Sequence, residues 1–176
     1  GIGATVLVDV SLLIIAVELL SGSGLIYFTP RKPFSVIFRL SHIWIFLVTG
    51  TLSLIFFALH SSFPNLYHSF IPEGYGVHII VMIFLYSLHN FNMNVLLGKE
   101  RVGTQNILFI IQFMTQMISM IINIFVFGIR NADAFIYSLI TGYLTVNIFG
   151  FLCIFRYFRE KDSETDEASD MKSLIA

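Results

Sequence analysis

The sequence predicts an all-α membrane protein, a polytopic bundle of about five transmembrane helices. Three observations predict it. Of the 176 residues, 56% are hydrophobic. Only 12% are charged, against about 25% in an ordinary soluble domain, so there is too little polar surface to cover a water-soluble globule. The apolar residues also fall in continuous runs of about 20, the length that crosses a hydrocarbon core about 30 Å thick. In hydrocarbon every backbone N–H and C=O must be satisfied within its own element, which selects helices. The runs do not alternate as the strands of a membrane barrel do. This composition excludes a soluble enzyme and a disordered chain. A net charge of −1 offers no basic patch, so no nucleic-acid partner is expected. The single cysteine, Cys153, excludes an internal disulfide and a cysteine-based metal cluster.

The first predicted span is 3–20, GATVLVDVSLLIIAVELL, with an extension toward Phe28. SGSG at 21–24 and PRKP at 30–33 close it, because Gly and Pro do not continue a helix. The second span is 36–59. FPNLYHSFIPEGYG at 63–76 reads as a loop and leads into the third span, 76–97. GKERVG at 98–103 precedes the fourth, 105–128, and GIRNAD at 128–133 precedes the fifth, 134–155. The transmembrane domain is thus 1–158. Residues 159–176, REKDSETDEASDMKSLIA, are charged and poor in apolar residues, and form a predicted disordered tail. The chain opens on Gly1 rather than Met, as it would after removal of an upstream piece.

Charge sets the predicted orientation. Arg31, Lys32, Arg39, Lys99, Arg101, Arg156, Arg159, Lys161 and Lys172 fall on one side, and Arg130 alone on the other. The positive-inside rule makes the first side cytoplasmic or matrix and places the N-terminus in the lumen or outside. The host membrane is the endoplasmic reticulum or plasma membrane, or the mitochondrial inner membrane if the chain serves a respiratory complex.

Ionisable groups inside spans cost several kcal/mol, so they usually face a bundle interior or a cavity. They are Asp9, Glu18, Arg39, His42, His60, His78 and His89, with His68 and Glu73 in the 63–76 loop. Thr5, Asp9, His60, His68, Glu73 and His78 converge on the membrane face that receives the N-terminus. Thr5 and Asp9 are i,i+4 and share a helix face. A Thr hydroxyl with an imidazole forms a nucleophile–base pair, which a carboxylate can orient. The competing structural reading has Thr5 bonded to its own backbone or packed at a helix contact, and Asp9 bonded to a neighbouring helix.

The histidines offer a second chemistry. His60 and His78 lie at similar depth on antiparallel spans, as the two ligands of a b-type haem would. A zinc site from His60, His68, Glu73 and His78 is a remoter alternative; otherwise these imidazoles bond within the bundle. Gln112, Gln116, Asn123 and Asn147 read as interhelical hydrogen-bond partners. Met114, Met117 and Met120 fall at helical spacing and read as packing.

FPNLYHSFIPEGYGVHIIV at 63–81 resembles a segment of the androgen-induced / androgen-dependent transmembrane hydrolase family. The likeness rests on Phe63-Pro64, Leu66, Phe70-Ile71-Pro72, and the Gly76, His78, Val81 element. TVLVD at 5–9 is similar to that family's early Thr before an acid or amide, with one residue more between Thr5 and Asp9. The resemblance covers residues 4–85. It implies an intramembrane lipid-ester hydrolase acting on fatty acid esters of hydroxy fatty acids, without cofactor or metal. Thr5 would be the nucleophile, His78 its base, and Asp9 the group orienting the imidazole; the partners would be membrane lipids and a fatty-acyl substrate. The family's Trp and second His before the Gly-x-His element are absent, and Leu88 and His89 stand where it has an acidic residue.

FSVIFRLSH at 34–42 is similar to the quinone-site segment of the succinate dehydrogenase large cytochrome b subunit, with Ser35 and Arg39 four residues apart. Phe38 and His42 replace that family's His and Gly. This likeness implies a quinone site at Ser35 and Arg39 in a membrane anchor subunit of a respiratory complex, for which the b-type haem on His60 and His78 is the companion alternative. A third alternative is a non-catalytic membrane subunit that binds only lipid and partner subunits.

Overall fold

The computed structural model describes residues 5, 6, 8, 10–15 and 23–158. The described positions between 5 and 15 are helical. Six α-helices follow: α1 Ser23–Phe28, α2 Phe34–Ser62, α3 Pro64–Phe70, α4 Gly76–Gly98, α5 Val102–Phe125 and α6 Ala132–Phe155. A 3-10 turn, Arg156–Phe158, extends α6. Among the described residues there is no strand, and four helices are long and apolar enough to cross a membrane: α2, α4, α5, and α6 with its 3-10 extension. The chain is an all-α polytopic bundle. Half of the first predicted span, 3–20, lies outside the described residues, as do Asp9, Glu18 and the tail 159–176.

Proline sets the bounds of α2. Pro33 precedes the helix, and its carbonyl accepts from the amides of Val36 and Ile37 at 3.0 and 3.3 Å. At the far end Phe63, which precedes Pro64, takes φ −138° and ψ 63°. The ring of a proline pushes the preceding residue out of the helical region, so α2 stops at Ser62. Pro64 then opens α3, because the first helical position needs no N–H. The predicted 63–76 loop therefore contains a helix, and the same proline explains both the break and the restart.

The α4–α5 turn closes by a double backbone bond: Glu100 N–H to Leu97 O at 2.9 Å, and Arg101 N–H to Leu96 O at 2.8 Å. That geometry needs one left-handed residue, and Glu100 takes it at φ 57°. Gly98 is unavailable for this role. A Cβ there would lie 2.7 Å from Thr29 Cβ and 3.0 Å from Ile26 O, so its missing side chain is what lets the segment after α1 pack against α4. At the other end Asn131 caps α6, its side chain accepting from Asp133 N–H at 3.2 Å.

The helix α4 is central. It packs on α1, α2 and α6, and α6 packs in turn on α5. Of its most apolar stretch 61% is buried, against 17% in α2 and in α5. Ile79, Met82, Ile83, Phe91, Val95 and Leu96 of α4 meet Ile45, Ile136, Val146 and Ile154 in the core. The outer faces of α2 and α5 show Leu54 and Phe57, and Ile110, Phe113 and Phe125. Exposed apolar surface on this scale suits lipid rather than water. Met114, Met117 and Met120 belong to the outer face of α5. The expected packing role is thus corrected: in a bilayer the apolar stripe of an edge helix turns outward.

Candidate functional site

The two ends of the bundle differ in charge and shape. One end gathers Ile26, Thr29 and Gly98 in contact, and Phe34 against Tyr157 and Phe158. Three of its cations lie on aromatic rings. The Arg31 guanidinium is 3.8 Å from the centre of the Tyr27 ring and donates to Tyr27 O at 2.7 Å. Lys99 and Arg156 lie 5.2 and 5.0 Å from the centre of the Tyr157 ring. These distances are those of cation–π contacts.

A cavity of about 620 Å³ opens at this end between α1 and the first half of α2. Leu25 and Phe28 wall it from α1, and Val36, Ile37, Leu40 and Trp44 from α2. The positions 36, 40 and 44 repeat every four residues, so they form one helical stripe. Lys32 supplies the charge in this otherwise apolar lining, with Ser41 as its hydroxyl. Ser35 and Arg39, the expected quinone contacts, are exposed on α2. Two turns above Phe34, the His42 ring stacks on Phe38 at 3.8 Å and meets Phe91 at 4.8 Å. Its Nδ1 lies 2.8 Å from Phe38 O, so this imidazole is bonded and packed within the bundle.

The opposite end holds the expected catalytic histidine. His78 lies in the first turn of α4, its ring 5.7 Å from those of Tyr75 and Tyr137. Its Nδ1 is buried without a hydrogen-bond partner among the described residues. Beside it the Tyr75 hydroxyl donates to Asp133 Oδ1 at 2.6 Å, and Asn131 Nδ2 donates to Asp133 Oδ2 at 2.7 Å. The carboxylate acceptor, reinforced by burial, pushes the Tyr75 hydroxyl up to about 12.

Thr5 is exposed, on a face shared with Val8, Leu12 and Ile15, while Val6, Val10 and Ile14 enter the core. Among the described residues no hydrogen bond joins Thr5 to His78. Asp9 lies outside the described residues. His60, the other expected haem ligand, is exposed and keeps different company: its ring is 4.9 Å from Tyr67 and 5.8 Å from His68. Tyr67 reaches α4 as well, its hydroxyl occupying the space a side chain at Gly76 would need. Burial raises the Tyr67 hydroxyl above its ordinary value. Among the described residues no three His, Cys, Asp or Glu side chains are grouped to hold a metal ion.

A buried polar layer lies between these ends. Asn92 Nδ2 donates to Asn147 Oδ1 at 3.1 Å, and Asn147 Nδ2 donates to Leu85 O at 2.7 Å. Asn123 Nδ2 donates to Ala134 O at 3.2 Å. The Gln112 side chain hydrogen-bonds Tyr143, and Gln116 packs over Gly142. Asn123, Asn147 and Gln112 thus join helices by hydrogen bonds as predicted, whereas Gln116 contributes packing. His89 completes the layer, 4% exposed, against Tyr86, Phe109 and Tyr143. The groove went unnoticed in the sequence, although its signal was present: apolar residues at 36, 40 and 44 behind an unpaired Lys32. Comparison with known protein families, curated proteins and solved structures returned no match.

Proposed function

We propose that this membrane bundle binds a fatty-acyl lipid, holding its acyl chain in the groove between α1 and α2. The groove itself carries this reading: about 620 Å³ of space walled by Leu25, Phe28, Val36, Leu40 and Trp44, with a cation at one end. Pockets of roughly 300–1,000 Å³ with apolar walls and few polar groups are the usual form of a small-molecule site. An apolar wall selects a chain, and a single charge fixes its polarity. The cationic end faces the cytoplasm or matrix in this proposal, as the positive-inside bias requires.

A bilayer-dissolved fatty acid carrying a diazirine tests it. Photolysis is expected to label the segment 24–44 in preference to the outer face of α5. Gly24 lines the groove with nothing within 4 Å of a built Cβ, so Gly24→Leu fills space without strain. That variant should cut groove labelling severalfold. Labelling spread evenly over the exposed apolar faces would contradict the proposal.

A second reading is favoured by His78, whose Nδ1 is buried without a hydrogen-bond partner among the described residues. Here the chain is an intramembrane lipid-ester hydrolase. His78 removes the Thr5 hydroxyl proton, Thr5 Oγ1 attacks the ester carbonyl, the alcohol leaves with that proton, and water releases the acyl group. Asp9 orients the imidazole. The groove and His78 lie at opposite ends of α2, whose 29 residues span roughly 43 Å. A lipid held at Lys32 therefore does not offer its ester to His78, and the two readings separate experimentally. The hydrolase reading expects an activated lipid phosphonate to label Thr5, with labelling lost in Thr5→Ala and His78→Ala. A sharp reduced haem band in the purified protein would contradict it.

A further inference from the structure

We infer that the groove selects a lipid with an anionic headgroup, drawn from the leaflet at the cationic end and paired there with Lys32. The inference rests on the acyl-chain reading and adds the headgroup and the leaflet. Three observations carry it.

The first is the state of the cations. Arg31 is engaged by Tyr27, and Lys99 and Arg156 by Tyr157. The Lys32 side chain has no hydrogen-bond or ion-pair partner among the described residues, and it lines the groove. An ammonium at the mouth of an apolar site attracts an anion and repels a zwitterion's outer amine.

The second is length. From Lys32 to Trp44 the groove follows 12 positions of chain, roughly 18 Å at helical rise. That is close to half of a hydrocarbon core about 30 Å thick. A chain that starts at Lys32 ends at Trp44, within one leaflet.

The third is the absence of a competing charge. The residues lining the groove include no Asp or Glu. Among the described residues, no carboxylate in the groove competes with an anionic headgroup for Lys32.

Trp44 makes the test direct, because it is the chain's only tryptophan and sits at the inner end of the groove. The whole protein is reconstituted into phosphatidylcholine vesicles containing rising fractions of chain-brominated phosphatidylglycerol or chain-brominated phosphatidylcholine. Bromine quenches Trp44 only on contact. The anionic lipid should reach half-maximal quenching at a mole fraction about threefold lower than the zwitterionic one. Lys32→Gln should abolish that preference by raising the mole fraction of anionic lipid needed for half-maximal quenching about threefold, and Lys32→Arg should restore it. Equal quenching by the two lipids in the unaltered protein overturns the inference, and so does a preference that survives Lys32→Gln. Gly24→Leu probes the underlying reading separately: it should weaken quenching by both lipids. No change in Gly24→Leu means that no chain occupies the groove, whatever the headgroup result.

Discussion

Tyr75 shows how a single side chain fastens the end of this bundle. Its hydroxyl joins the start of α4 to Asp133 in the first turn of α6, 58 residues away. Tyr75→Phe removes that bond and leaves Asp133 with Asn131 alone, at a cost of about 1 kcal/mol. The pH dependence has a definite sign. The folded hydroxyl titrates at about 12 and the ordinary one at 10.0. Its contribution is complete below pH 10 and disappears as pH rises toward 12. Resistance to unfolding by sodium dodecyl sulfate should therefore fall more steeply over that window in the unaltered protein than in Tyr75→Phe. Parallel curves would show that the bond stabilises nothing. This pair was not legible in the sequence, because nothing local ties position 75 to position 133. Glu100 was hidden for a different reason. GKERVG read only as a break between spans, and its glycine at 98 is committed to close packing against Thr29 rather than to the left-handed position.

At the scale of elements, the bilayer explains both what was readable and what was not. Continuous apolar runs announced α2, α4, α5 and α6. The short helix α3 was missed because it stands among Pro and Asn, residues that read as loop, and α1 was read only as an extension of the first span toward Phe28. Pro64 is the instructive case, since one residue both ends α2 and begins α3. The edge helix α5 reverses the pattern of a soluble amphipathic helix. Gln105, Gln112 and Asn123 point inward, while Ile110, Phe113 and Met117 point out. Asn123 placed inward reaches a backbone carbonyl and Gln112 a tyrosine hydroxyl, and apolar side chains lose nothing by facing lipid. Gly98 supplies the prediction at this scale. A methyl group there meets Thr29 Cβ at 2.7 Å and the Ile26 carbonyl at 3.0 Å. Relief requires the segment after α1 to move, so Gly98→Ala should cost about 1–3 kcal/mol. Because α1 walls the groove, the same variant should also weaken acyl-chain labelling there. Full labelling with unchanged stability would mean that the contact between α1 and α4 positions nothing.

The whole molecule presents two separate chemistries at its two ends. One end carries His78, Tyr75, Tyr137 and Asp133. The other carries the cations and the groove. Only part of this was legible. His78 stood out as an ionisable residue at the mouth of a span, and the bias of Lys and Arg marked the other end. The pairing of Thr5 with His78 required a tertiary contact that helical spacing does not specify, and Thr5 lies on an exposed face. The groove depends on where α1 rests against α4, a relation set by close packing at Gly98 rather than by any motif. The most direct measurement is a density map of the protein in a lipid nanodisc. A bound acyl chain predicts a continuous tubular feature between α1 and α2, running from Lys32 to Trp44 and lost in Gly24→Leu. A groove closed by direct packing of Phe28 on Leu40, with no such feature, would contradict it.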